Sequence, residues 1–308
     1  MSLKYAVIGT GAIGGYYGGR LANAGKDVHF LFHSDYEYVK QNGLKVDSVN
    51  GDFHISQLKA YNNTKDMPEC DIVLVGLKST NNSLLKEMLP PLLKKDTLVI
   101  LIQNGLGLEE DLQKDFPELY IAGGLAFICS SKIGKGHIAH MDYGKVNIGS
   151  YSCPDQGLID KVISDFRESG IDAQNVDLKS ARWMKLVWNI PYNGMTVVLN
   201  TRTDLLMENQ ATEGLIRNMM LEVIRAANNT GLKQEIPESY ADEMLEMTRK
   251  MTPYSPSMKL DYDARRPLEV EYIYSRPVLE AKRVGVEMTR VAMLEKQLRF
   301  INQQISGK

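Results

Sequence analysis

The stretch Lys4-Tyr5-Ala6-Val7-Ile8-Gly9-Thr10-Gly11-Ala12-Ile13-Gly14 decides the fold of the first half of the chain. Its first five residues are a short β-forming run, and Gly9, Gly11 and Gly14 follow with the spacing G-x-G-x-x-G. A small-residue helical run over 15–24 comes next and stops at Gly25. Strand, tight turn and helix are the setting this fingerprint requires. Gly9 permits the turn, Gly11 lets the backbone approach a pyrophosphate, and Gly14 lets helix and strand pack closely. The helix amino terminus adds N–H groups and a positive dipole end for the phosphates. We therefore expect a dinucleotide held by Gly9, Thr10, Gly11, Ala12, Ile13 and Gly14.

Working outward, residues 27–32 read as the second strand, tipped by His33-Ser34-Asp35. NAD sites usually place an acid at this tip for the ribose 2′-OH, and such an acid would repel the 2′-phosphate of NADP. Here the first acid comes late, so NADP (NADPH) is expected rather than NAD, with His33 and Ser34 at the site. Ser34-Asp35-Tyr36-Glu37 also spells a capping box, which would instead occupy the Ser34 hydroxyl. Residues 72–77 and 98–102 read as buried parallel strands ending in Lys78-Ser79-Thr80 and Gln103-Asn104-Gly105. Ligands of open α/β sheets bind beyond the carboxyl ends of the strands, which places Lys78 and Asn104 at the cofactor. The plainer readings are a solvated loop lysine and an Asn-Gly turn. Shorter β-like pieces follow at 122–128, 137–141, 145–148 and 172–176, with a helix at 156–168. Cys129, just past the first of these, is also assigned to the cofactor site.

Beyond residue 177 the pattern turns helical, at 181–199, 212–230, 240–251, 269–283 and from Thr289 onward. Leu178-Lys179-Ser180 reads as a hinge or helix lead-in. The expected fold class is α/β: an N-terminal Rossmann-type doubly wound sheet over 1–177, followed by an all-helical C-terminal domain over 178–308. Such a pairing puts the substrate in the cleft between the two. The last helix carries Val291, Leu294, Leu298, Ile301 and Ile305 as an apolar stripe. That stripe could bury itself in its own domain or pair two copies as a symmetric homodimer.

The first helix of this half contains Trp183-Met184-Lys185-Leu186-Val187-Trp188-Asn189-Ile190-Pro191-Tyr192-Asn193. Lys185, Asn189 and Asn193 lie four residues apart and stack as a polar column. A buried polar group costs about 1–3 kcal/mol unless something pairs with it. On so apolar a helix the column implies a ligand bearing a carbonyl, hydroxyl or carboxylate; the bland alternative is a column facing water. A lysine flanked by Trp183 and Trp188 should also lose its proton more readily than a free one. Pro191 inside the column removes a helix hydrogen bond and is expected to kink the chain, turning Asn193 aside.

Composition narrows the classes. With 36 basic against 38 acidic residues, a formal net charge of -2, the chain has no nucleic-acid or membrane-surface footprint. No apolar run approaches the roughly 18–20 residues of a membrane span. The amino terminus enters a strand directly, without a secretory n-region, so a cytoplasmic protein is expected. Cys70, Cys129 and Cys153 are odd in number and far apart, fitting neither a disulfide framework nor a metal site. His137 and His140 alone are a weak metal signal, and no metal is expected.

Several of these segments recur together in one family. In order they are Gly9-Thr10-Gly11-Ala12-Ile13-Gly14, Leu77-Lys78, Gln103-Asn104-Gly105, Lys185-x3-Asn189-x3-Asn193, Ser257-Met258-Lys259-Leu260-Asp261 and Glu269-Val270-Glu271-Tyr272-Ile273. The series resembles the ketopantoate reductase (2-dehydropantoate 2-reductase) family over nearly the whole chain. Its lysine–asparagine column and Ser-Met-x-x-Asp segment are the discriminating parts. The resemblance implies NADPH-dependent reduction of the small 2-oxo acid 2-dehydropantoate to (R)-pantoate, a step toward pantothenate and coenzyme A. It implies Lys185 as proton donor, Glu269 beside it and the cofactor, Asn189 and Asn193 holding substrate, and Ser257 binding the substrate carboxylate. Lys78 and Asn104 would line the cofactor site. The chain departs from the family at His33, where an arginine often reads the 2′-phosphate, and at Gly194, where proline is common. Thr203-Asp204 and Tyr274-Ser275 each replace an Asn-Gly. These departures leave room for a paralogue acting on another 2-oxo acid. A non-catalytic NADP-binding sensor is the reading from another class.

Overall fold

The computed structural model describes residues 2–253 and 255–307. Ten strands among these residues form one sheet: β1 (Lys4–Ile8), β2 (Asp27–Leu31), β3 (Leu44–Ser48), β4 (Phe53–Ile55), β5 (Lys59–Tyr61), β6 (Ile72–Val75), β7 (Leu98–Leu101), β8 (Tyr120–Gly134), β9 (His137–Ser150) and β10 (Ala173–Asn175). The order across the sheet is β4-β3-β9-β8-β7-β6-β1-β2-β5, with β10 on β9. From β8 to β5 every pairing is parallel. The sequence explains this: β6 and β7 are apolar at every position and wholly buried, as strands covered on both faces must be.

Residues 122–148 depart from the expected short pieces. They form a long antiparallel hairpin of β8 and β9, with register shifts after Phe127, Cys129 and Lys132. Tyr143 sits at φ 60 within β9, where an ordinary side chain is strained, so the alternation breaks there. Sequence reading also passed over β3, β4 and β5, three short strands of five residues or fewer.

The helices of this unit are α1 (Ala12–Asn23), α2 (Tyr36–Asn42), α3 (Leu85–Met88), α4 (Leu108–Asp115) and α5 (Gln156–Glu168). A second compact unit comprises Asn104–Gly107 and Lys179–Lys308, the first being Met1–Gln103 with Leu108–Leu178. Its helices are α6 (Leu178–Val198), α7 (Thr203–Glu208), α8 (Gln210–Asn229), α9 (Ser239–Lys250), α10 (Ser257–Asp263), α11 (Arg276–Arg283) and α12 (Thr289–Ser306). A π-helical turn, Glu271–Ser275, leads into α11. The segment 178–180, expected as a hinge or lead-in, is the first turn of α6. The α12 stripe is spent inside this unit, where Val291, Leu294 and Leu298 are fully buried among α6 and α8 side chains. Buried Glu222 of α8 accepts the backbone N–H groups of Arg290 (3.0 Å) and Val291 (3.1 Å), capping α12 from a neighbouring helix.

No helix among the described residues is long and apolar enough to cross a membrane, and no group of three or more His, Cys, Asp or Glu side chains could hold a metal ion. All three cysteines are buried. Burial pushes the Cys70 thiol up to about 12 and raises that of Cys153, disfavouring the thiolate in both.

Candidate active site

The glycine loop joins β1 to α1. Gly9 has φ 85, and a Cβ there would lie 2.5 Å from the Leu77 backbone nitrogen, so only glycine fits the turn. A Cβ at Gly11 would meet nothing within 4 Å; the loop presents open space there. Gly11 is the N-cap of α1 and no side chain caps the helix, whose first turn carries no acid. Backbone N–H groups facing open, anion-friendly space are what a pyrophosphate requires, so these residues fit a dinucleotide. Thr10 is buried, and its hydroxyl donates to the Leu31 carbonyl at 2.8 Å, tying the loop to the end of β2. Ala12 and Ile13 open the helix, half-buried.

At the tip of β2, His33 and Ser34 are exposed. The expected capping box does not form: Asp35 is the N-cap of α2, without a side-chain cap, and the Ser34 hydroxyl contacts only Asp35 Oδ1 at 3.3 Å. Asp35 itself is buried. Its Oδ2 accepts from Lys132 Nζ at 2.6 Å and from the Gly136 N–H at 2.9 Å. Burial alone would raise its pKa, but the Lys132 bond and then the Gly136 N–H outweigh that and hold the carboxyl below its ordinary range. Lys78, half-buried, follows β6 at its carboxyl end. Cys129 lies buried on β8 beside Ser130, whose hydroxyl is 3.5 Å from the Ala12 carbonyl oxygen.

In the second unit the column runs along α6. Asn189 and Asn193 are buried and Lys185 is half-buried, so the bland reading of a water-facing column fails. Helix α6 continues through Pro191 without a break. The Oδ1 of Asn193 faces the Met258 N–H at 3.4 Å, in the first turn of α10. That contact brings the column to the helix opened by Ser257, which is half-buried. Pro256, the N-cap residue of α10, has no capping side chain, and Asn193 stands in for one across the two helices.

Glu269 is buried, just ahead of the π-turn. Asn104-Gly105-Leu106 packs against the same turn: Leu106 N–H donates to the Tyr272 carbonyl at 2.8 Å, and a Cβ at Gly105 (φ 121) would meet Tyr272 Cβ at 2.5 Å. Two motifs more than 160 positions apart in sequence are thus joined at one place. Lys185 ionises at about 7, driven down by burial and then by the charge of Arg182, while Glu269 pulls the other way. Buried Arg182 lies three residues before Lys185 on α6 and was missed by sequence reading, although its i−3 spacing signalled the shared face. Lys132 was missed for a different reason, since its tie to Asp35 spans nearly a hundred positions and no local pattern marks it.

Two of the departures answer each other. A Cβ at Gly194 would meet Leu294 Cδ2 at 2.5 Å and the Tyr274 hydroxyl at 2.9 Å. That hydroxyl donates to the Ile190 carbonyl at 2.9 Å. Gly194 therefore makes room for Tyr274, which is fully buried against α6. Asp204, the acid of the third departure, pairs with Arg202 at 2.8 Å.

Comparison with known proteins shows the family. Residues 5–152 match the family described as Ketopantoate reductase PanE/ApbA, and residues 177–302 match Ketopantoate reductase PanE/ApbA C terminal. A 2-dehydropantoate 2-reductase of Nostoc sp. is 48% identical over 305 residues, covering 97% of this chain and 95% of that protein. The solved 2-dehydropantoate 2-reductase of Geobacter metallireducens is 42% identical with a TM-score of 0.94, covering 97% of this chain and 99% of that one. That of Methylococcus capsulatus is 30% identical with a TM-score of 0.90, covering 99% and 98% respectively. Glycine loop, lysine–asparagine column, Ser257 helix and Glu269 turn stand together in a chain that both parts of one family profile match, and this chain belongs to the ketopantoate reductase family.

Proposed function

We propose that the protein reduces the ketone of 2-dehydropantoate to (R)-pantoate with NADPH, serving pantothenate and coenzyme A synthesis. The observation that carries this reading is the Lys185–Asn189–Asn193 column on α6, with both asparagines buried and the lysine half-buried; burial pushes the Lys185 ammonium down to about 7. Bound NADPH supplies the hydride. As negative charge builds on the ketone oxygen, the Lys185 ammonium stabilises it and donates its proton from Nζ. An amine that gives up its proton near neutral pH suits that task better than one held at 10.5. Glu269 opposes the desolvation of Lys185 and keeps enough of it protonated, while Arg182 limits that effect. Asn189 and the amide nitrogen of Asn193 position the substrate, and Ser257 binds its carboxylate. To cofactor binding we assign Gly9 to Gly14, His33, Ser34, Lys78 and Cys129, together with Asn104 and Glu269.

The test is oxidation of NADPH by ketopantoate, beside a panel of other 2-oxo acids and repeated with NADH. Turnover selective for ketopantoate and NADPH is expected. Turnover on a different oxo acid alone would reassign the substrate, and NADPH binding without turnover on any of them would overturn the enzymatic reading.

A further inference from the structure

We propose that Lys132 is a specificity-determining residue for the dinucleotide: by pairing with Asp35 it cancels the acid at the tip of β2 and admits a ribose 2′-phosphate. The inference rests on the NADPH reading and assigns a device to it. An acid at this tip bonds the 2′-OH of NAD and repels the 2′-phosphate of NADP. This chain has such an acid two residues past His33, yet its side chain is only 5% exposed and turned into the protein. Lys132 Nζ of β8 at 2.6 Å and the N–H of Gly136, in the turn between β8 and β9, at 2.9 Å hold the same oxygen, Oδ2. The carboxylate is thereby neutralised and anchored, while Ser34 and His33 remain exposed.

The hairpin that delivers Lys132 also borders the phosphate loop. Ser130, two residues earlier on β8, reaches the Ala12 carbonyl oxygen at the opening of α1. A Cβ on Gly15, one turn into α1, would touch Ile138 of β9 at 3.0 Å. Lys132 is itself 36% exposed, so the charge of Asp35 is offset at this edge. The lock takes the place of an arginine at the tip by removing the repulsion that such an arginine would otherwise overcome.

The test measures dissociation constants for NADPH and NADH by titration calorimetry, in the wild type, Lys132→Met, Asp35→Asn and the double variant. With Lys132 gone, the negative charge of Asp35 near the tip of β2 is no longer compensated, so the NADPH constant should rise about tenfold while that for NADH stays within about twofold. Asp35→Asn in the Lys132→Met background should restore NADPH binding. Asp35→Asn alone keeps the test open if Lys132→Met does not fold; NADPH should then bind about threefold more tightly, with Lys132 released. An unchanged NADPH-to-NADH ratio in Lys132→Met, equal weakening of both dinucleotides, failure of Asp35→Asn to rescue, or no tightening in Asp35→Asn alone would each overturn the proposal. The wild-type ratio judges the NADPH reading separately, because a wild type preferring NADH would sink that reading while the shift in ratio still tests the lock.

Discussion

Lys185 should cost the protein stability, and replacing it by methionine should reveal how much. Met keeps an unbranched side chain one atom shorter and removes the charge. In the unfolded chain the ammonium ionises near 10.5, and in the folded protein at about 7, because burial and Arg182 disfavour the charged form more than Glu269 favours it. Between these two values the unfolded chain holds a proton that the folded protein does not, so this group makes stability rise with pH. Below about 7 both states are charged and the whole penalty applies; above 10.5 both are neutral and it vanishes. At about 1.4 kcal/mol per pH unit the ceiling is about 5 kcal/mol. Solvent reaching a half-buried side chain should reduce this to about 2–3 kcal/mol. Denaturant unfolding of both proteins across this range is the assay. Lys185→Met should be the more stable below pH 7, with the gap closing as pH rises toward 10.5. A gap independent of pH, or a variant less stable than the wild type at neutral pH, would refute the reasoning.

Kinetics should separate the roles within the site. Lys185→Ala should lower kcat by about 10²–10⁴-fold with NADPH binding intact, whereas Ser257→Ala should chiefly raise KM for the oxo acid; the reverse pattern would exchange the two roles. The glycine loop gives a second contrast. Gly11→Ala should leave thermal stability nearly unchanged, since its Cβ meets nothing within 4 Å, yet weaken NADPH binding in calorimetry. Gly9→Ala, forced to φ 85 against Leu77, should cost about 2–3 kcal/mol in a denaturant melt. Gly194→Ala should cost about 1–3 kcal/mol by crowding Leu294 and Tyr274, and Tyr274→Phe in that background should recover part of it.

What the sequence made legible was local. The Gly9–Gly14 fingerprint needs one turn and its flanks, and the Lys185 column needs only helical spacing, so both could be read from a few consecutive residues. The long hairpin was not legible, because its bulges and the φ 60 of Tyr143 interrupt the alternation that marks a strand. The Ser34 capping box spelled correctly and still failed, because Asp35 is drawn inward by Lys132 and Gly136. Pro191 was expected to spoil the column. Helix α6 nevertheless runs through it unbroken, and beside it Tyr274 bonds the Ile190 carbonyl and Asn193 reaches α10. Gly194 and Tyr274 looked like independent departures from the family and are one packing solution. Such couplings leave no mark in a single sequence, because neither partner is unusual in its own neighbourhood.

The most direct test of the central claim, a lysine poised to donate a proton near neutral pH, is the pH dependence of kcat/KM for ketopantoate. The wild type should lose activity as pH rises through about 7, where Lys185 gives up its proton. Glu269→Gln should move that limb to lower pH and Arg182→Gln to higher pH, because their charges act on Lys185 in opposite directions. A profile that stays flat from below pH 7 up to 10.5, or one that neither substitution moves, would contradict the account.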